Sequence, residues 1–587
     1  INGEELKEDG IVTIPFKMNL NSITGDLSLE DYKLSLVKED KEYKIKWDES
    51  LIFPNMIKDD KVRVSTTEAK RGNILDRNGK VLAEDGIIYS VGIYPAKFNI
   101  SNIEEKITEI ATALDISKEN ISSKLEANTN PEHFIPLVDI LTTDSRIDTL
   151  RNRDEDGILL KEKIGRIYYG GEAFGRLIGY IGNITAEELE SNLDKGYTDT
   201  SLIGKAGLEQ VYENTLKGEG AAEIYIERGM EKIAIANKEV VNGKDITLSI
   251  DYDLQNKIYS EMSGEKGAAT AVNPKTGEVI AMVSAPSYDS NTFTTYISKA
   301  QEAKWEETNH ADEINRFNKT YSPGSTMKLL TSIIGLENGV LNPSEEKDIQ
   351  GLTWQKDSSW GNYKITRVTD PGKAVNLKDA VNHSDNIYYA QVALDLGSEK
   401  FIAGLENFGI GEELTFEYPI ETSQISNDGE LNRDILLADT GYGQGEVMVT
   451  PLNIALFYST LSNEGNMMQP RLVISENSEV KVWKENLISQ NNLPILIDAF
   501  TAAVNDAGAT LPDGAVPGHR VAGKSGTAEI KSSQDDTDGT ENGWFVSTDP
   551  DSSKISISMI IENVKDRGGS HVTIPKVRNV MDYYLNR

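Results

Sequence analysis

The chain has 587 residues, a formal net charge of −34 at pH 7 and no cysteine. Its length implies about three or four domains, and the missing cysteines exclude disulfides and thiolate metal sites. The acidic balance argues against nucleic-acid binding through a global basic field, and no apolar run reaches the roughly 18 residues a membrane-spanning helix needs.

Up to about residue 62, alternating stretches such as Tyr43-Lys44-Ile45-Lys46-Trp47 predict strands. From 63 to 246, strands and helices mix, and Ile103-Glu104-Glu105-Lys106-Ile107-Thr108-Glu109-Ile110-Ala111 predicts a helix. The run from Gly165 to Gly175 reads as a glycine-punctuated loop; no Gly-Lys-Ser/Thr follows, so it is not a phosphate loop. From 247 onward, strands at 269–272 and 279–283 flank a tight turn at Lys275-Thr276-Gly277. The turn signal Tyr321-Ser322-Pro323-Gly324 precedes Met327, Leu329, Leu330, Ile333, Ile334 and Leu336 at helical spacing, closed by Asn338-Gly339. With strands at 543–546 and 555–561, this predicts a sheet with helices around it, an α+β layer fold. The acidic run Gln534-Asp535-Asp536-Thr537-Asp538-Gly539 reads as a loop, and there is no internal repeat.

Three short motifs stand in order in this last region: Ser325-Thr326-Met327-Lys328, Ser384-Asp385-Asn386 and Lys524-Ser525-Gly526. Each is weak alone. Ser-x-x-Lys recurs at Ser35, Ser344 and Ser478, and a literal Lys-Thr-Gly sits in the turn at 275, before the serine. Read singly, they are an N-cap serine beside a solvated lysine, a polar loop between two helices, and a glycine-rich turn. Together they suit acyl transfer. A serine hydroxyl needs a neighbour to take its proton. Neutral lysine can do so once burial and a second cation have lowered its pKa, and Lys524 supplies such a cation. The five histidines are scattered, without H-E-x-x-H or a G-x-S-x-G elbow, and His383 reads as a packing or capping residue.

The three motifs in this order resemble the signature of penicillin-binding proteins and class A β-lactamases. Further stretches resemble class B penicillin-binding proteins over nearly the whole chain: Arg71-Gly72-Asn73-Ile74-Leu75-Asp76-Arg77-Asn78-Gly79, Gly204-Lys205-Ala206-Gly207-Leu208-Glu209, Asp245-Ile246-Thr247-Leu248-Ser249-Ile250-Asp251 and Gly441-Tyr442-Gly443-Gln444-Gly445. Val37-Lys38-Glu39-Asp40 and the stretch from Trp47 to Pro54 resemble the later part of an NTF2-like extension, the mark of the low-affinity, methicillin-resistance type from Gram-positive bacteria.

The resemblance implies a multidomain α+β protein. Residues 1–62 would form a partial NTF2-like domain, 63–246 an elongated non-catalytic pedestal or dimerisation-type domain, and 247–587 a transpeptidase domain with a central antiparallel sheet and surrounding helices. The implied function is peptidoglycan D,D-transpeptidation of D-Ala-D-Ala stem peptides, with β-lactams as covalent inhibitors. Ser325 would be the nucleophile and Lys328 the base, with Ser384 and Lys524 completing the proton path. Asn386, Ser525, Gly526 and Thr527 would bind substrate, the backbone N–H groups of Ser325 and Thr527 forming an oxyanion hole. The third motif is Lys-Ser-Gly where many relatives have Lys-Thr-Gly; a hydroxyl is kept.

No metal or cofactor is implied and no nucleic-acid partner. A membrane glycosyltransferase partner is, as is a cell-membrane location with one N-terminal anchor upstream of Ile1 and an extracellular catalytic domain. A D,D-carboxypeptidase differs only in the acceptor, and a non-catalytic β-lactam sensor or scaffold is the alternative from another class. Length and the N-terminal regions disfavour a β-lactamase.

Overall fold

The computed structural model describes residues 11–40, 42–98, 102–153, 156–192, 195–475, 479–530 and 539–587. Residues 534–538 of the expected acidic loop lie outside them. The chain divides into two compact units that interleave in sequence. One comprises Ile1–Asn73, Gly182–Ile203 and Tyr212–Asp245; the other comprises Ile74–Ile181, Gly204–Val211 and Ile246–Arg587.

The first unit holds a meander of three antiparallel strands, Ile11–Ser22, Gly25–Glu39 and Glu42–Ile45. Tyr32 anchors it: the ring stacks on Phe16, and the hydroxyl donates to the Ile52 carbonyl at 2.8 Å. A second sheet pairs Lys61–Thr67 with Ala221–Arg228, so one strand runs through the expected 62/63 junction.

In the second unit, the predicted helix forms as Ile103–Leu114 and buries Ile107, Ile110, Ala111 and Leu114, the i, i+3, i+4, i+7 stripe of an amphipathic helix. The stretch from Gly165 to Gly175 corrects the loop reading. Gly165 ends up inside the strand Ile158–Tyr168, opposite Gly86, and Glu172–Ile178 is helical. Only residues 169–171 turn, with Gly170 and Gly171 at φ +93° and +57°. The glycines at 165 and 86 instead make room for large side chains, since a Cβ on Gly165 would meet Ile88 at 2.4 Å.

The same unit carries a five-stranded antiparallel sheet: β1 (Gly267–Val272), β2 (Val279–Ala285), β3 (Ala522–Ile530), β4 (Thr540–Thr548) and β5 (Ser556–Ile561), in spatial order β2-β1-β5-β4-β3. Lys275-Thr276-Gly277 closes the β1–β2 hairpin as predicted, Gly277 taking φ +70°. Phe545, Met559, Ile557, Ala269 and Val283 form a fully buried core with helical residues such as Ile258 and Val577. The helices of this unit include α1 (Lys328–Glu337), α2 (Leu377–Asn382), α3 (Asn386–Leu396), α4 (Asp434–Gly441) and α5 (Leu493–Asn505). The sheet places β3 at its edge.

Candidate active site

The three motifs converge on one cleft of the second unit. A 3-10 turn, Gly324–Met327, leads into α1. In a 3-10 turn side chains three apart eclipse one another, which puts Lys328 over Ser325: Nζ lies 2.9 Å from Ser325 Oγ. The turn is clamped from several sides. The Gly324 N–H and the Ser322 hydroxyl donate to the Gly443 carbonyl, at 2.9 and 3.0 Å. The Trp544 indole N–H donates to Ser322 O, and the Tyr458 hydroxyl to Thr326 O. Gly443 sits at φ +88°, and a Cβ there would lie 1.8 Å from Gly324 O.

Ser384 and Asp385 connect α2 to α3, with His383 at the C-cap of α2 and Asn386 opening α3. Asp385 caps α3, accepting from the N–H groups of Ile387 and Tyr388. Ser384 adopts φ +51°, a left-handed conformation that costs a non-glycine residue about 1–2 kcal/mol. In this conformation both its carbonyl and its hydroxyl reach Lys328 Nζ, at 2.7 and 2.9 Å. Asn386 Oδ1 is also 2.7 Å from Nζ, and its amide donates to Thr366 O. Ser384 Oγ lies 3.0 Å from Ser325 Oγ.

These contacts can be met by a neutral amine. The two shortest, to Ser384 O and Asn386 Oδ1, are to oxygens without protons. The two at 2.9 Å are to hydroxyls. A neutral amine has two N–H donors for the first pair and a lone pair to accept from either hydroxyl. Burial of the whole Lys328 side chain, assisted by Lys524 and opposed by Asp385, pulls its pKa well below the lysine range.

The third motif lies on the edge strand β3. Lys524 is buried, its Nζ donating to Ser525 O at 3.0 Å, and desolvation lowers its pKa to about 7. Ser525 and Thr527 are half-buried on the alternate positions. Gly526 lies against the serine turn: a Cβ would stand 3.0 Å from Pro323 O and 3.2 Å from Ser325 N. Gly523, on the N-terminal side of Lys524, faces inward against Val504 of α5 and Phe545, so its small size serves protein packing rather than ligand approach.

Some residues of the site carry no motif signal. Arg367, fully buried, pairs with Asp385 at 2.8 Å. Asp439 of α4 accepts hydroxyl donors from both Tyr363 and Tyr442, and burial pushes its carboxyl up. Gln444 Nε2 lies 3.5 Å from Thr527 O. Among the described residues, no group of three or more His, Asp or Glu is arranged to hold a metal ion, and no helix is long and apolar enough to cross a membrane.

Comparison with known proteins gives a consistent picture. Three family models match in tandem: an NTF2-like N-terminal transpeptidase domain at residues 2–60, a penicillin-binding protein dimerisation domain at 66–248, and a penicillin-binding protein transpeptidase domain at 267–582. Penicillin-binding protein 3 of Bacillus subtilis is 40% identical over 573 residues, 96% of this chain and 84% of the relative. The peptidoglycan D,D-transpeptidase MrdA of Haemophilus influenzae is 28% identical over 602 residues, 96% of this chain and 90% of the relative. A solved complex between penicillin-binding protein PBP2 and MreC from Helicobacter pylori shares the fold, with a TM-score of 0.69 at 21% identity, covering 90% of this chain and 99% of that one.

Proposed function

The chain belongs to the penicillin-binding protein transpeptidases, in the class B architecture with an NTF2-like N-terminal domain, and from that premise we propose that it is a peptidoglycan D,D-transpeptidase acting through a Ser325 acyl-enzyme. The observation that carries this reading is the buried Lys328 amine, in contact with both the Ser325 and Ser384 hydroxyls.

Neutral Lys328 takes the Ser325 proton as Oγ bonds to the carbonyl carbon of the penultimate D-Ala. The carbonyl electrons move onto oxygen, toward the N–H groups of Ser325 and Thr527; one lost oxyanion donor typically costs about 2.7–4 kcal/mol. The proton passes through Ser384 Oγ to the leaving amine as the C–N bond breaks and the terminal D-Ala departs. An amine from a neighbouring stem then attacks the ester, giving its proton to Lys328. Ser325 is reprotonated as the ester C–O bond breaks. Lys524, Ser525 and Thr527 meet the substrate carboxylate, while Asn386 and the Gly526 backbone position the peptide. A β-lactam acylates Ser325 with rupture of its ring amide, and the adduct clears slowly.

The domain extents 1–62, 63–246 and 247–587 belong to the same proposal. So does the low-affinity, resistance-associated type, which the NTF2-like match at residues 2–60 supports. An upstream membrane anchor, an extracellular catalytic domain and a membrane glycosyltransferase partner rest on the family resemblance. The reading is tested by incubating the protein with a stem pentapeptide, with and without an acceptor amine. Release of D-Ala with an amide-linked product in step is expected. Release with hydrolysis alone points to a D,D-carboxypeptidase, and no release favours the scaffold alternative.

A further inference from the structure

Arg367 stands 18 residues before Asp385 in sequence and is locked on every side of its guanidinium. Nε donates to Gly351 O and Nη2 to Ile349 O, both at 2.8 Å. Nη2 also pairs with Asp370 at 2.7 Å, and Nη1 with Asp385 at 2.8 Å. Two backbone carbonyls and two carboxylates therefore fix this group as a rigid point. Thr366, the residue before it, accepts the Asn386 amide through its carbonyl.

Asp385 lies between the two residues that hold Lys328. One carboxylate oxygen caps α3 and the other meets Arg367. We propose that Arg367 is a positioning residue for the Ser325–Lys328 pair, acting through Asp385. This rests on the acyl-transfer reading. The guanidinium holds the connection in which Ser384 is left-handed, and so keeps the Ser384 carbonyl and the Asn386 Oδ1 on Lys328 Nζ. It also offsets a charge. The groups that face Lys328 are Asp385 at the cap of α3, Lys524 on β3 and the Tyr389 ring on α3. Asp385, which also faces Tyr388, favours protonated Lys328, whereas Lys524 disfavours it. Arg367 offsets the Asp385 charge through their ion pair, and its second carboxylate, Asp370, is one-third exposed. Without the guanidinium, the full field of Asp385 acts on Lys328, and the neutral base appears only at higher pH.

The test is the pH dependence of acylation by benzylpenicillin for wild type, Arg367→Met, Arg367→Lys and Asp385→Asn, with circular dichroism as the check on folding. Arg367→Met is expected to acylate about tenfold or more slowly at neutral pH, as small misplacements of reacting groups do. Its acidic limb should move to higher pH by about half a unit or more. Arg367→Lys should return the limb toward wild type. Asp385→Asn keeps an oxygen for the cap but removes the charge, and its limb should move to lower pH. Opposite shifts are not produced by a merely structural role. An unmoved Arg367→Met limb, or shifts of the same sign in Arg367→Met and Asp385→Asn, overturns the proposal. If Arg367→Met does not fold, an unmoved or raised limb in Asp385→Asn overturns it. Absence of acylation in the wild type overturns both this inference and the acyl-transfer reading, whereas a normal wild type with unshifted variants overturns the inference alone.

Discussion

Lys328 Nζ lies at the same distance, 2.9 Å, from Ser325 Oγ and from Ser384 Oγ, inside a side-chain environment closed to solvent. A base placed this way serves only when neutral. Replacing it with methionine keeps the volume and removes the lone pair, and acylation should fall by about 10²–10⁴-fold, the range of general-base catalysis. Lys328→Arg should do no better, because a guanidinium stays protonated throughout the accessible pH range. Second-order acylation rates with a fluorescent penicillin measure both variants. A Lys328→Arg enzyme retaining most of its rate would remove the base assignment.

Lys524 carries a stability cost of known sign. Burial holds it at about 7 in the folded protein, against 10.5 for an ordinary lysine. Between those values the unfolded chain binds the extra proton, so stability rises with pH across the window and the cost is at full size below about 7. Lys524→Met should therefore be more stable than wild type at and below neutral pH, by as much as roughly 1.4 kcal/mol per pH unit of the window. The two should converge toward pH 10.5. Thermal melts across that range test this, and a gap that widens with rising pH has the wrong sign.

Gly443→Ala puts a methyl where 1.8 Å separates it from Gly324 O and asks a left-handed backbone of an L residue. Since the Gly443 carbonyl clamps the serine turn, the nucleophile itself should shift. Acylation should drop by about 10²-fold, the scale of a 1 Å misplacement. Rate constants and melting temperature together check it; an unchanged rate means the clamp is dispensable.

Ser384 separates hydroxyl from backbone. Glycine accepts φ +51° freely and alanine does not. Ser384→Gly should thus be more stable than Ser384→Ala by about 1 kcal/mol. Both lose the Oγ relay and should acylate slowly, while the Lys328 contact to the residue 384 carbonyl survives best in the glycine variant. Equal stability of the two would mean the loop relaxes out of its left-handed state.

The parts legible in the sequence are those written locally. Pro323-Gly324 and the apolar spacing after Ser325 mark the serine helix, because turn chemistry and periodicity act over a few residues. The hairpin at Lys275-Thr276-Gly277 and the placement of Ser384 and Asp385 between helices are readable for the same reason. Arg367 is not, since its partners Ile349, Gly351, Asp370 and Asp385 come together only in the folded chain. Gly165 misleads: in sequence it resembles turn chemistry, but in the sheet it clears space for Ile88.

Intact-protein mass after incubation with benzylpenicillin, for wild type and Ser325→Ala, tests the nucleophile most directly. The expected result is an adduct of the drug's full mass on wild type that is absent from Ser325→Ala. An equal adduct on both proteins, or none on wild type after long exposure at high concentration, contradicts a Ser325 acyl-enzyme.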